Sequence, residues 1–125
     1  MKKILLVDDE PEILELYGDT LEDADFQVIK ASNGRECIDI AQKERPDLVL
    51  LDLKMPEIDG MEAFSTMKEM EETKNIKVVF LTAFGDPKSI ETDIKMAKEI
   101  GAVDFIKKGI DLDELVLKVR DIVGS

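Results

Sequence analysis

The sequence predicts an α/β domain: one open, doubly wound sheet of five parallel strands with helices on both faces. Five short apolar runs alternate with longer amphipathic stretches, and most of those stretches open on residues that start helices. Strands covered on both faces read as near-continuous aliphatic runs, and strand–helix alternation with right-handed crossovers gives a parallel sheet. Length agrees: 125 residues, 44% of them hydrophobic, suit a single domain whose core needs no cross-links.

The expected strands are Ile4 to Val7, Phe26 to Ile29, Leu48 to Leu51, Val78 to Leu81 and Ala102 to Ile106. Between them, Ile13, Leu14, Leu16, Tyr17 and Leu21 are expected to form one buried helical face, and Ile90, Ile94, Ala97 and Ile100 another. Pro11 sits where a first helical turn tolerates proline, and Pro87 follows Asp86, a residue suited to capping. Asn33 with Glu36, Asp59 with Glu62, and Asp111 with Glu114 have the three-residue spacing of capping boxes. The last helix is expected over Leu112 to Val123, so the reading is one domain over residues 1–125 with no effector domain.

Charge and composition exclude several function classes. With 29 Asp and Glu against 17 Lys and Arg the net charge is −12, which disfavours nucleic acid or a membrane surface as partner. A bound cation or a basic protein face fits better. There is no histidine and one cysteine, so His-based catalysis, His or Cys metal cages and internal disulfides are all impossible. Cys37 reads as a small apolar helix residue, and the composition suits a reduced, cytoplasmic compartment. The opening apolar run is too short for a signal peptide or a membrane span.

In such sheets ligands bind beyond the carboxyl ends of the strands. There the first strand closes on Asp8-Asp9-Glu10, the third on Asp52, the fourth on Thr82 and the fifth on Lys108. Taken singly each has an ordinary role: a helix cap, a solvated acid, a β-prone threonine, a surface lysine beside Lys107. Together they place carboxylates, a hydroxyl and an ammonium on one rim. Converging carboxylates share protons or hold a cation, and oxygen-only donors suit a hard ion such as Mg²⁺. Asp8 and Asp9 can both reach the rim only if the chain leaves the strand there. Asp52 is the best nucleophile, since a carboxylate can form an acyl phosphate, while Thr82 and Lys108 can bind phosphoryl oxygens.

Four segments in order resemble the receiver domain of the two-component response-regulator family. They are Ile4-Leu5-Leu6-Val7-Asp8-Asp9-Glu10, Pro46 through Pro56 with Asp59-Gly60, Leu81-Thr82-Ala83, and Gly101 through Lys108. The resemblance covers essentially the whole chain and implies the flavodoxin-like, receiver-type version of the sheet. It also implies a phosphorylation-dependent switch, with Asp52 accepting a phosphoryl group from a phosphohistidine on a sensor kinase or histidine phosphotransfer protein. Asp8, Asp9, Asp52 and the Lys54 carbonyl would hold Mg²⁺, and Thr82 and Lys108 would bind the phosphoryl group. Thr82 and Phe105 would move together and alter the affinity of the face formed by the fourth helix, fifth strand and fifth helix for a downstream protein; whether phosphorylation also drives a dimer is left open. Such a domain catalyses only its own phosphorylation and slow dephosphorylation.

The sequence also departs from the family pattern. Gly109 follows Lys108 where the family usually has proline after a cis bond, so a trans Lys108–Gly109 bond and a rearranged loop are expected. Phe105 lacks a phenolic hydroxyl, and Lys54 and Phe84 occupy positions that influence phosphate loss in the family. Their amine and ring are expected to restrict water and prolong the phosphorylated state. One rival reading is a Mg²⁺-dependent phosphatase with an aspartyl nucleophile. The loop Leu53 to Gly60 is too short for the cap that enzyme needs. A second rival, a receiver-like protein-binding scaffold that is never phosphorylated, is kept open by Gly109. A flavin site lacks the hydroxyl-rich phosphate loop.

Overall fold

A computed structural model describes the backbone of residues 1–83 and 87–124, and the side chains of that span except at 87–90 and 93. In chain order the elements are β1 (Lys3–Val7), α1 (Pro11–Asp23), β2 (Gln27–Ala31), α2 (Gly34–Glu44), β3 (Leu48–Asp52), α3 (Gly60–Glu69), β4 (Lys77–Thr82), α4 (Pro87–Ile100), β5 (Asp104–Lys107) and α5 (Leu112–Val123). The strands pair in parallel in the order β2-β1-β3-β4-β5. This is the doubly wound sheet the alternation predicts.

Successive strand residues face opposite ways, so each strand feeds two cores. On one face Leu5, Val7, Val49, Leu51 and Phe80 pack with Cys37 and Ala41 of α2, Phe64 and Met67 of α3 and Ala97 of α4. On the other Ile4, Leu6, Leu48, Leu50, Val79 and Leu81 pack with Tyr17 and Leu21 of α1 and Leu115 and Val119 of α5. Every residue of β3 is buried, which explains its unbroken apolar run. Each fully buried Leu or Val side chain contributes about 1.5–3 kcal/mol, so the two cores carry most of the stability. Cys37 is fully buried, and that burial pushes its thiol up to about 12, which makes it inert.

Several local expectations need correction. Phe26 does not begin β2, because its N–H donates to the Leu21 carbonyl and closes α1, so the strand runs Gln27–Ala31. Ala102 likewise closes α4 by donating to the Ala97 carbonyl, and β5 begins at Asp104. Leu16 is 47% exposed. At 100° per residue, positions 13, 14, 17 and 21 share a stripe that position 16 leaves.

The caps at Asn33 and Asp59 accept from the N–H groups of Glu36 and Glu62, as the spacing predicts. Glu36, however, returns its carboxylate to the N–H and hydroxyl of Ser32, which hold its pKa below the ordinary value. Asp111 accepts from Asp113, not Glu114. The expected cap at Asp86 lies outside the described residues. Remote cations reach helix C-termini, where carbonyls lack partners: Lys3 to Glu44, Lys77 to Ile122 and Arg120 to Ala24. Among the described residues no helix is long and apolar enough to cross a membrane.

Candidate functional site

From β1 the chain returns to the sheet as β2 on one side and then, after α2, as β3 on the other, so the crossovers diverge above the ends of β1 and β3 and leave a crevice. Into it the chain brings Asp8, just past β1, and Asp52, the last residue of β3. β1 ends at Val7, and Asp8 turns at once: its Oδ1 accepts the Glu10 N–H at 2.9 Å. That departure lets both Asp8 and Asp9 serve the rim. One carboxylate oxygen from each of Asp8, Asp9 and Asp52 lies within 4.8 Å of the others. Asp8 and Asp52 are buried and Asp9 is exposed.

Lys108 completes the cluster from just beyond β5. Its Nζ lies 2.9 Å from Asp8 Oδ2, 3.1 Å from Asp52 Oδ2 and 3.7 Å from Glu10 Oε2. Between the two lysines the sequence leaves open, it is Lys108 that turns inward, while Lys107 is exposed. Thr82, 5% exposed, ends β4 beside it, and its carbonyl accepts the Lys108 N–H at 2.8 Å. Lys54 donates its N–H to Asp52 Oδ1 at 3.3 Å. Gly60, the first residue of α3, is required sterically: a Cβ there would lie 2.1 Å from the Asp52 carbonyl oxygen. Phe105 stacks on Phe80 at 5.8 Å with 18° between the rings, so it is already turned partly inward. Phe84 lies outside the described residues.

The charges do not balance. Among the described residues, Asp8, Asp9 and Asp52, with Glu10 nearby, gather around the Lys108 ammonium. Burial, followed by the Asp8 charge, pushes Asp52 up to about 7, against the pull of Lys108. Asp8 is also raised, again mainly by burial. Burial alone would lower Lys108, but Asp8 and Asp52 hold it above its ordinary value. The Asp8 Oδ2–Lys108 pair is an ion pair without hydrogen-bond geometry, so that buried oxygen has no hydrogen-bond donor among the described residues. An under-satisfied buried oxygen among converging carboxylates, with no nitrogen or sulfur donor, fits a hard divalent cation such as Mg²⁺.

Two contacts escaped the sequence reading. Glu10 is the outer member of the Lys108 cluster, and its place in the acidic run was the available signal. The Gly109 N–H donates to the Tyr17 hydroxyl at 3.2 Å across 92 residues of sequence, which no local pattern announces. No cis peptide bond occurs among the described residues, so Lys108–Gly109 is trans, with Gly109 at φ 93°.

Comparison with known proteins agrees with this geometry. A family profile described as the response regulator receiver domain matches residues 4–120. Sporulation initiation phosphotransferase F of Bacillus subtilis is 41% identical over 122 residues, covering 98% of this chain and 90% of that protein. The polar-differentiation response regulator DivK of Brucella anthropi is 28% identical, covering 99% and 98%. Among solved structures, the chemotaxis protein CheY4 of Vibrio cholerae superposes with a TM-score of 0.85 at 29% identity, covering 98% of both chains. The signal receiver domain of a histidine kinase from Syntrophus aciditrophicus gives 0.84 at 32% identity, covering 98% and 90%.

Proposed function

The chain belongs to the response regulator receiver family, whose members are signalling switches set by phosphorylation, and we propose that Asp52 is its phosphoryl acceptor. The observation that carries this is Lys108 Nζ, held between Asp8 and Asp52 beside an acidic trio at the sheet's switch point. An Asp52 oxygen attacks phosphorus, the O–P bond forms, and the P–N bond of a partner's phosphohistidine breaks. The leaving imidazole keeps the electron pair and takes a proton from solvent. These 125 residues hold no histidine, so the donor histidine lies outside them, on a sensor kinase or histidine phosphotransfer protein.

Attack requires Asp52 ionised, and Lys108 favours that form against the burial that opposes it. The same ammonium then faces the phosphoryl oxygens, to which Thr82 donates its hydroxyl proton. Asp8, Asp9, Asp52 and the Lys54 carbonyl would hold Mg²⁺, which supplies positive charge to the transferring group. A hydrogen bond from Thr82 draws the end of β4 inward, Phe105 follows, and the α4–β5–α5 face changes its affinity for a downstream protein. The product is a conformation, and small phosphomonoesters are not turned over.

Intact-mass spectrometry after incubation with acetyl phosphate and Mg²⁺ tests this reading. One phosphoryl increment is expected, absent in EDTA and absent from Asp52→Asn. No increment from a folded chain would favour the unphosphorylated scaffold. Lys54 and Phe84 are proposed to slow phosphate loss by restricting water. A variant carrying Lys54→Ala and Phe84→Ala should therefore lose its phosphate faster than the unsubstituted protein, as timed by the decay of the phosphorylated mass. Equal or slower loss would remove that role.

A further inference from the structure

The turn that presents Lys108 is held on both sides. On one, the Lys108 N–H donates to the Thr82 carbonyl at 2.8 Å, the last rung of the sheet. On the other, the next N–H, that of Gly109, donates to the hydroxyl of Tyr17 at 3.2 Å. Tyr17 is 1% exposed and packed in the α1–α5 core, so its hydroxyl is a fixed point. Gly109 is exposed, and a Cβ there would meet nothing within 4 Å. Side-chain packing therefore does not hold this residue. The turn is closed by the Ile110 N–H donating to the Lys107 carbonyl at 3.2 Å, and the positive φ of Gly109, 93°, aims its N–H at the Tyr17 hydroxyl, which ties that turn to α1.

Resting on the reading of Lys108 as a phosphoryl-binding residue, we propose that Tyr17 is a positioning residue for Lys108. By accepting the Gly109 N–H, its hydroxyl fixes the turn from which the Lys108 ammonium spans Asp8 and Asp52. The bond also joins the two arms of the site, since Tyr17 lies on the helix that begins three residues after Asp8. Ion pairs alone would leave Lys108 free to settle toward Asp8, Glu10 or Asp52, which lie at 2.9, 3.7 and 3.1 Å. An anchored main chain selects among them. A proline at position 109 has no N–H and could make no such bond.

Tyr17→Phe removes the acceptor and keeps the ring, and the exposed Gly109 N–H can then bond water, so the chain should still fold. Two measurements test the proposal. In the first, the protein without acetyl phosphate is pulsed with an amine-acylating reagent and each lysine is read by peptide mass spectrometry. Lys108, only 11% exposed at its side chain, should label severalfold faster in Tyr17→Phe, while Lys3 and Lys77, which cap remote helices, keep their rates. In the second, the phosphorylation rate with acetyl phosphate and Mg²⁺ should fall about tenfold, since small misplacements of a catalytic group have effects of that order or larger.

Unchanged labelling of Lys108 would overturn the proposal, and so would a uniform rise across all lysines, which would mark general loosening. A slower phosphorylation rate without altered Lys108 labelling would overturn it as well. If the unsubstituted protein takes up no phosphoryl group, the proposed acceptor fails, while labelling still decides whether Tyr17 positions Lys108.

Discussion

Asp52→Asn should abolish phosphoryl uptake and yet unfold at a higher temperature than the unsubstituted chain when both are melted at pH 8 in EDTA. Burial and Asp8 push the folded-state value of Asp52 up to about 7, above the ordinary 3.8. The native state therefore binds this proton more tightly than the unfolded chain does. The associated stability is present below the unfolded value and is lost as pH rises through 7. At pH 8 the fold carries a buried negative charge in excess of what one ammonium neutralises.

An amide of the same shape removes that charge and leaves Asp8 paired with Lys108. Three pK units convert to about 4 kcal/mol, an upper bound, because Asn also gives up the attraction of Lys108. A gain of roughly 1–3 kcal/mol is expected, raising the melting temperature by about 3–10 °C in a domain of this size. The difference should shrink as pH falls from 7 toward 4 and vanish below the ordinary value of 3.8, where the carboxyl is protonated in both states. Because Asp8 and Asp52 titrate together, the midpoint belongs to the pair. Mg²⁺ should narrow the gap at pH 8 by stabilising the unsubstituted chain alone. Melting curves at five pH values suffice, and an asparagine variant that melts lower at pH 8 would refute the charge imbalance.

β1 and β3 were legible in the sequence because a strand buried on both faces leaves an unbroken apolar run, and the polar residue that breaks it marks the rim. Asp8, Asp52 and Thr82 each fall at such a break, and Lys108 one residue beyond one, so their gathering at the rim followed from topology, while the choice between Lys107 and Lys108 did not. The failures share a cause. Phe26 and Ala102 are apolar and lie next to apolar runs, yet their N–H groups close helices, and hydropathy does not register where a donor points. Leu16 has the right chemistry for a core stripe and the wrong angle. The Tyr17–Gly109 bond is a through-space event between a helix interior and a turn, so composition and spacing are silent about it.

Lys108→Ala should have the opposite effect on stability and one of larger size. Asp8 is fully buried and Asp52 is 3% exposed, and the ammonium is the one cation paired with either among the described residues. Removing one partner of a buried ion pair leaves uncompensated charge and typically costs about 3–5 kcal/mol. Lys108 is itself held above its ordinary value, so the stability it contributes is present throughout the neutral range and is lost only at alkaline pH. Any pH dependence of the loss between pH 4 and 8 must then come from the carboxylates. Without the ammonium they hold their protons more tightly, so the deficit should be greatest at pH 8 in EDTA and shrink on acidification. Mg²⁺ should recover part of it at pH 8 by replacing the missing charge. Combining Asp52→Asn with Lys108→Ala should restore more stability than Asp52→Asn adds to the unsubstituted chain, since the same carboxylate is then removed from a site with no cation. Phosphorylation by acetyl phosphate should fall by about 10²-fold or more, as expected when a charge aimed at transferring oxygens is lost. Lys108→Arg should regain stability ahead of rate, because a planar guanidinium restores the charge but not the point contact with two separated oxygens. If Lys108→Ala melts with the unsubstituted chain at pH 8, the ammonium does not balance these acids, and its role must be sought in the phosphorylated state alone.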